Sequence, residues 1–403
     1  MSAKRTEERL STPVKKRAPK KAPEESQAAN PQKEPAKDQA KDQAKKPAKA
    51  AKSPSKSPSE SPPESAAKSG ASKSAAESAA ESGASKSTAE IAAEWWASEK
   101  NFEQWRKSRT FLIERCLEEF ISNRKPAFIP GSERLQKLCD AISYTLLGGG
   151  KRVRGLLALA TAEAVCGKDV MGLPAAMAVE LIHAYSLIHD DLPALDNDDT
   201  RRGRPSNHLA FGESTAILAG DALQAMAFEA LLTKSDLINV FPKEASRYLS
   251  AAYRLSTLCG ISGLVGGQFL DLAYEGASPG FQEVMGMEIL KTGHLIAASM
   301  LTGAILGGAS PKMQQEIFAA GSNAGLAFQI RDDLLNYYGD PLLMGKSVGT
   351  DAKKGKASLP AVMDPEEAEE VVETHLKKAI EGVRPLKAPK LEQLLTSLVR
   401  RDR

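Results

Sequence analysis

The sequence predicts an all-α domain with a single core of about 300 residues, preceded by a low-complexity tail. Three observations predict it. Apolar residues recur at three- and four-residue spacing through most of the chain after residue 91. No segment carries a convincing period-two alternation. Glycine and proline clusters interrupt the helical pattern at intervals of helix length.

Residues 1–90 come first. Lys, Ala, Ser, Pro, Glu and Gln dominate them, no aromatic residue occurs, and short units repeat (KDQAKDQAKK, KSPSKSPSESPPES, SAAESAAESGASKS). Such a segment cannot bury enough apolar surface to offset the entropy of ordering it, so it is expected to be disordered. It holds 19 Lys and Arg against 12 Asp and Glu; subtraction from the chain totals of 54 and 51 leaves 35 against 39. The overall charge of +3 thus hides a basic tail on a mildly acidic body. A solubilising leader is the plainest use. Contact with nucleic acid or a membrane surface is a second use, and targeting a third. Interspersed acids argue against an organellar transit peptide, and no apolar run follows the first basic residues as a secretory signal requires.

The body, 91–403, shows helical periodicity over 95–121, 132–147, 153–165, 215–232, 283–306 and 313–338. Breaks are expected at Pro126 to Gly131, Gly148 to Gly150, Gly172 to Pro174, Gly203 to Pro205, Pro279-Gly280 and Gly339 to Pro341. Residues 173–189 are apolar on nearly every face, which marks a helix buried all round. No run of 18 or more apolar residues free of charge occurs, so no membrane-spanning segment is expected. Cys116, Cys139, Cys166 and Cys259 are widely spaced without a CxxC pair. They read as reduced thiols, and the expected compartment is the cytosol.

Two acidic clusters lie about 140 residues apart at the ends of apolar stretches. The first is Asp190-Asp191-Leu-Pro-Ala-Leu-Asp196, followed by Arg201-Arg202; the second is Asp332-Asp333-Leu-Leu-Asn336. Pro193 places the first where its helix bends or stops. Like charges gathered at the negative end of a helix dipole are costly unless cations meet them. Mg²⁺ suits such oxygen donors and binds one or two carboxylates together with substrate phosphates. Basic groups accompany both clusters. Gly149-Gly150-Lys151-Arg152-Val-Arg154-Gly155 opens a helix and can cradle phosphate. Lys291, Lys346 and Lys356 stand in KTG, GKSVGTD and GKAS settings. The combination suits a site for two diphosphates.

The motifs LLGGGKRVRG, HAYSLIHDDLPALDNDDTRRGRPSNH, GGQFLDL, KTGHLI, FQIRDDLLNYYGD and GKSVGTDAKKGKASLP span about 135–362 in this order. In sequence and spacing they resemble the trans-isoprenyl diphosphate synthases, especially farnesyl diphosphate synthases of bacterial type. The resemblance implies largely antiparallel helices around a deep central cavity, a homodimer, and three Mg²⁺ ions per site. It implies that Asp190, Asp191, Asp196, Asp332 and Asp333 hold the metal. Lys151, Arg154, His183 and Arg202 would take isopentenyl diphosphate. Arg201, Lys291, Lys346 and Lys356 would take the allylic diphosphate. Gln268, Asp271, Thr292 and Gln329 would line the reacting end. The groups implied in catalysis are Asp190, Asp191, Asp196, Arg201, Lys291, Thr292, Gln329, Asp332 and Lys346.

The implied reaction breaks an allylic carbon–oxygen bond and uses electrostatic stabilisation rather than a protein nucleophile. No Ser/His/Asp or Cys/His arrangement is recognisable, which agrees. In the resemblance, residues upstream of Asp190 floor the product channel. Tyr185 lies five residues upstream, about 7.5 Å along a helix, with Ser186 and Ile182 lining further depth. Farnesyl diphosphate is the expected product and geranylgeranyl diphosphate the runner-up. Asn336 replaces the usual last Asp of the second motif, and His294 is also unusual. A non-catalytic subunit of a heteromeric synthase and a class I terpene cyclase are the other readings. The GGKRVRG segment and paired Asp332-Asp333 argue against the cyclase.

Overall fold

The computed structural model describes residues 101–123, 131–232, 242–338, 356–359 and 362–400. The tail 1–90, Lys346, and the breaks expected near Pro126 and Pro341 lie outside the described residues.

The described chain is a helical bundle. α1 (Phe102–Ser122) begins at Asn101, whose side chain accepts a 3.0 Å hydrogen bond from the Gln104 N–H and so caps an orphan donor. A 3₁₀ turn (Ser132–Leu135) leads into α2 (Gln136–Leu146). α3 (Val153–Cys166) stops at Gly167, which takes the left-handed C-cap conformation at φ 73°. After a second 3₁₀ turn (Asp169–Gly172), α4 (Leu173–Asp190) starts with Pro174 in its first turn, where a missing N–H costs nothing. β1 (Thr200–Arg201) and β2 (Arg204–Pro205) form a minimal antiparallel hairpin. Then follow α5 (Asn207–Phe211), α6 (Glu213–Leu232), α7 (Pro242–Cys259), α8 (Leu264–Ala273) and α9 (Phe281–Glu288). A π turn (Ile289–Gly293) separates α9 from α10 (His294–Gly307). The chain continues through α11 (Pro311–Tyr338), α12 (Pro365–Val383), a 3₁₀ turn (Arg384–Leu386) and α13 (Pro389–Val399).

The core sits around α10 and α4. Residues 295–306 of α10 are all buried, and this helix packs against α3, α4, α7 and α11. A helix enclosed this way needs apolar residues on every side, and its sequence HLIAASMLTGAILG supplies them through Leu295, Ile296, Met300, Leu301 and Ile305. α4 is buried on most faces, as expected, and packs on α3, α6 and α10. Its burial fixes where Asp190 ends up.

One expectation is corrected, and two further observations refine the reading. The pattern over 283–306 is two helices joined by the π turn, because one extra residue in a turn does not disturb apolar periodicity enough to be seen. The two-residue hairpin is too short to alternate visibly. Four helical segments (Asp169–Asp190, Glu213–Leu232, Glu244–Ala273 and Phe281–Gly307) are long and apolar enough to cross a membrane by length and composition alone. Isolated charges such as Glu180 and Glu288 interrupt a charge-free run without lowering the mean hydropathy much. Inside the bundle these segments pack against one another and against α3 and α11.

Candidate functional site

α4 ends at Asp190 and does not continue. The Asp196 N–H donates to the Asp190 carbonyl at 2.8 Å, and the Leu192 N–H donates to the His189 carbonyl at 3.0 Å. The turn containing Pro193 therefore folds Asp196 back beside Asp190 rather than carrying it along a helix. Asp191 is buried and faces Arg201, whose Nε donates to its two oxygens at 3.0 and 3.3 Å and whose Nη2 adds a further contact. Lys356 places its ammonium 2.7 Å from Asp196 Oδ1 and 3.6 Å from Asp271 Oδ2. Lys291 reaches Asp271 Oδ2 at 2.5 Å. Burial pushes the Asp190 carboxyl up to about 6; Lys291 opposes this and the Asp196 charge reinforces it. Lys291 moves upward because Asp271 and Asp190 outweigh the cost of its burial.

Local sequence explains the Lys291–Asp271 meeting. Gly267 lets α8 approach the π turn so closely that a Cβ there would run into the Lys291 backbone. Asp271 is four residues on and shares that face of α8. The π turn itself carries Lys291 and Thr292. On α11, Gln329 donates to Asp333 Oδ1 at 2.8 Å, while Asp332 and Asn336 lie one turn apart on the same helix face. Beneath them sits Glu288, a buried acid absent from the sequence-derived site. Burial, then the Asp333 and Asp271 charges, raise its carboxyl far above the usual carboxylate range. A lone Glu in the apolar run VMGMEIL is its only signal in the sequence.

The basic half begins at the N-terminus of α3. Gly150, Lys151, Arg152, Arg154, Glu180, His183 and Arg202 line a cavity of about 150 Å³. Lys151 is exposed at its rim, and Arg154 Nη1 lies 3.4 Å from His183 Nε2. Burial, with Arg154, Arg202, Arg201 and Arg152 around it, holds His183 well below the ordinary histidine value. It is therefore neutral at pH 7, and Nε2 accepts from Arg154.

The hairpin joins the two halves. Arg202 and Gly203 form its two-residue loop with φ values of 54° and 72°, the positive-φ pair that tight hairpins require. Arg201 consequently points to Asp191, whereas Arg202 bonds the Gly149 carbonyl beside the basic cavity.

Tyr185 is 5% exposed on α4, edge-on to the His189 ring at 5.8 Å between centroids. Its hydroxyl is buried without a hydrogen bond of good geometry, although the Gln224 amide stands beside it. Ser186 bonds the His183 carbonyl at 3.0 Å, and Ile182 is fully buried. His294 Nδ1–H donates to the Ser262 carbonyl at 3.1 Å. That contact fixes the α8–α10 junction, not the cleft.

The chemistry of the acidic half fits Mg²⁺: its donors are carboxylate oxygens, and the groups already facing Asp191, Asp196 and Asp271 are cations. Among the described residues no three His, Cys, Asp or Glu side chains converge as a ready-made cage. Mg²⁺ commonly takes few protein ligands and completes its shell with phosphate and water.

The polyprenyl synthetase family profile matches residues 135–398. The chain is 41% identical over 276 residues to a farnesyl diphosphate synthase of Geobacillus stearothermophilus, covering 66% of this chain and 91% of that protein. It is also 41% identical over 276 residues to a geranylgeranyl diphosphate synthase of Cyanophora paradoxa, covering 68% and 87%. A crystal structure of a Helicobacter pylori geranyltransferase, complexed with magnesium and isoprenyl diphosphate, superposes with a TM-score of 0.61. The identity is 28%, and the match covers 75% of this chain and 97% of that one. With the acidic helix end, the basic cradle and the bundle that positions them, these matches place the chain in the polyprenyl synthetase family, as a trans-isoprenyl diphosphate synthase.

Proposed function

We propose that this prenyltransferase condenses isopentenyl diphosphate with dimethylallyl and geranyl diphosphates, giving farnesyl diphosphate as its main product. The observation that carries the reading is the buried Tyr185 ring five residues upstream of Asp190 on the same helix. At about 1.5 Å per residue it stands about 7.5 Å below the acidic cluster, a depth that suits a two-isoprene tail.

Asp190, Asp196 and Asp332 would hold Mg²⁺, with Asp191 and Asp333 set behind them against Arg201 and Gln329. When bound, three Mg²⁺ ions would neutralise charge on the leaving diphosphate. Arg201, Lys291 and Lys356 surround the same position and stabilise that charge as the allylic carbon–oxygen bond breaks. Asp271 and Gln268 supply oxygen atoms near the resulting allylic cation. Isopentenyl diphosphate, held by Lys151, Arg154 and Arg202, directs its double bond at the cation. A proton then leaves to the released diphosphate, so no protein nucleophile is required.

A homodimer is part of this reading. Ile217 and Leu218 on α6, Leu249 and Tyr253 on α7, and Ile261, Val265 and Phe269 at α8 are exposed large apolar side chains. A second copy would cover them.

Incubation with Mg²⁺, isopentenyl diphosphate and each allylic diphosphate, followed by sizing of products, tests the reading. The wild-type protein should stop at C15, and Tyr185→Ala should extend products to C20 or longer. Mostly C20 from wild type would favour geranylgeranyl diphosphate synthesis, the reading supported by the equally similar Cyanophora relative. Unchanged product length in the variant would remove Tyr185 as the gate.

A further inference from the structure

Glu180 is 3% exposed, lies three residues before His183 on α4, and is the acid among the residues lining the basic cavity. A carboxylate in a diphosphate cradle would repel substrate if its oxygens faced inward. Both are already engaged. Oε1 accepts the Gly155 N–H at 2.9 Å, and Oε2 lies 3.5 Å from Arg152 Nη1.

These two contacts fall on the weak points of the cradle. The first turn of any helix has N–H groups without intrahelical acceptors. At α3 the N-cap position is Arg152, whose side chain caps nothing. Glu180 reaches across from α4 to take the N–H of Gly155 instead. Glycine leaves room for that approach: a Cβ at Gly155 would lie 2.9 Å from Ile113 Cδ1 and 3.3 Å from Glu180 Cγ, so these side chains would have to shift. Arg152 itself has φ 48°, a conformation that non-glycine residues hold only when their surroundings impose it. Arg152 is 4% exposed, and its guanidinium is anchored by Glu180, by Glu114 at 3.3 Å and by the Leu146 carbonyl at 2.6 Å. Arg152 is thus a strut between Lys151 and Arg154, which flank it in sequence.

We propose that Glu180 is a positioning residue for isopentenyl diphosphate: by tying Gly155 and Arg152 it sets the first turn of α3 so that Lys151 and Arg154 face the bound diphosphate. This rests on the function proposed above, which assigns that substrate to this cradle. Glu180 touches no substrate.

The test compares Glu180→Gln and Glu180→Ala in the full-length protein, by steady-state kinetics and by calorimetric titration with isopentenyl diphosphate alone. Glutamine keeps an acceptor for the Gly155 N–H and loses the ion pair with Arg152. KM and Kd for isopentenyl diphosphate should rise about tenfold in Glu180→Gln and about a hundredfold in Glu180→Ala, the range of one and then two hydrogen bonds to charged groups. The KM for geranyl diphosphate should stay within about twofold of wild type, because only the basic half has moved. A role in stability alone would lower the melting temperature and raise both KM values together. That outcome overturns the proposal, as does an unchanged KM and Kd for isopentenyl diphosphate in Glu180→Gln. Should Glu180→Ala fail to fold, the nearly isosteric Glu180→Gln decides by itself. A wild-type protein that forms no prenyl product would instead sink the functional reading, and the calorimetric comparison would still judge Glu180.

Discussion

The two halves of the cleft are built from opposite ends of helices. The acidic half stands at the C-terminal end of α4 and in the last turns of α11, where the helix dipole is negative; the basic half stands at the N-terminus of α3, where it is positive. Their internal partners differ too. Asp191, Asp196 and Asp271 each face a cation of the chain, whereas the cradle arginines are held by backbone carbonyls, by Glu180 and by a neutral His183. In the proposed function the acidic half would meet a diphosphate through intervening cations, and the basic half would meet one directly. Arg201 and Arg202, adjacent in sequence, are divided between the halves by the positive-φ hairpin loop.

The strongest way to break this comparison is to remove one side of it. Asp190→Ala should lower turnover about a hundredfold to a thousandfold, the loss typical of a group that stabilises developing charge. A chelator should abolish turnover outright. Neither should alter the Kd for isopentenyl diphosphate, because no carboxylate of the first cluster lines its cavity. Loss of that affinity together with turnover would show that the halves do not act independently. Near-normal turnover in Asp190→Ala would reject the acidic site itself.

A middle-sized effect sharpens the contrast through pH. His183 is held below its ordinary value of 6.5 by burial and by four arginines. The unfolded chain therefore binds a proton that the folded chain refuses. The sign follows: this contribution to stability is complete above about pH 6.5 and is lost as pH falls toward the depressed folded value, at up to about 1.4 kcal/mol per pH unit. Melting curves between about pH 7.5 and about pH 5.5, roughly one unit either side of ordinary histidine titration, should fall more steeply for wild type than for His183→Gln. Parallel curves would mean that His183 titrates normally and that the cradle is less electropositive than its arginines imply.

How much of this was readable in the sequence varied with the kind of interaction. The helices of the body and the burial of α4 followed from periodicity, because a bundle core imposes its spacing directly on the residues. The aspartate clusters and the GGKRVRG cradle were legible because several charges of one sign must stand at a helix end for a reason. Glu180 and Glu288 were not. Each is one acid in an apolar run, and only tertiary packing brings it to Gly155 and Arg152 or beneath Asp333. The division of Arg201 from Arg202 was equally hidden, since it depends on two positive φ angles in a loop where Gly203 alone announces a turn. Pro193 announced that the helix bends or stops at the first cluster, but not that the Asp196 N–H would bond the Asp190 carbonyl and fold Asp196 back beside it.

The smallest expected effect concerns a third charged region, the basic tail 1–90, which lies outside the described residues. Every residue placed in the cleft lies beyond position 146, and the family profile starts at residue 135. The tail adds seven net positive charges and no aromatic anchor. Its reach to an anionic substrate is therefore electrostatic and falls away beyond about 8 Å at physiological salt. Deleting it should leave kcat and both KM values within about twofold at such salt, and leave the melting temperature nearly unchanged. At low salt the deletion should raise both KM values slightly, because a basic segment concentrates diphosphates of either kind without distinguishing them. A selective rise in one KM would tie the tail to one half of the cleft, and a large loss of turnover or stability at physiological salt would make it part of the folded enzyme.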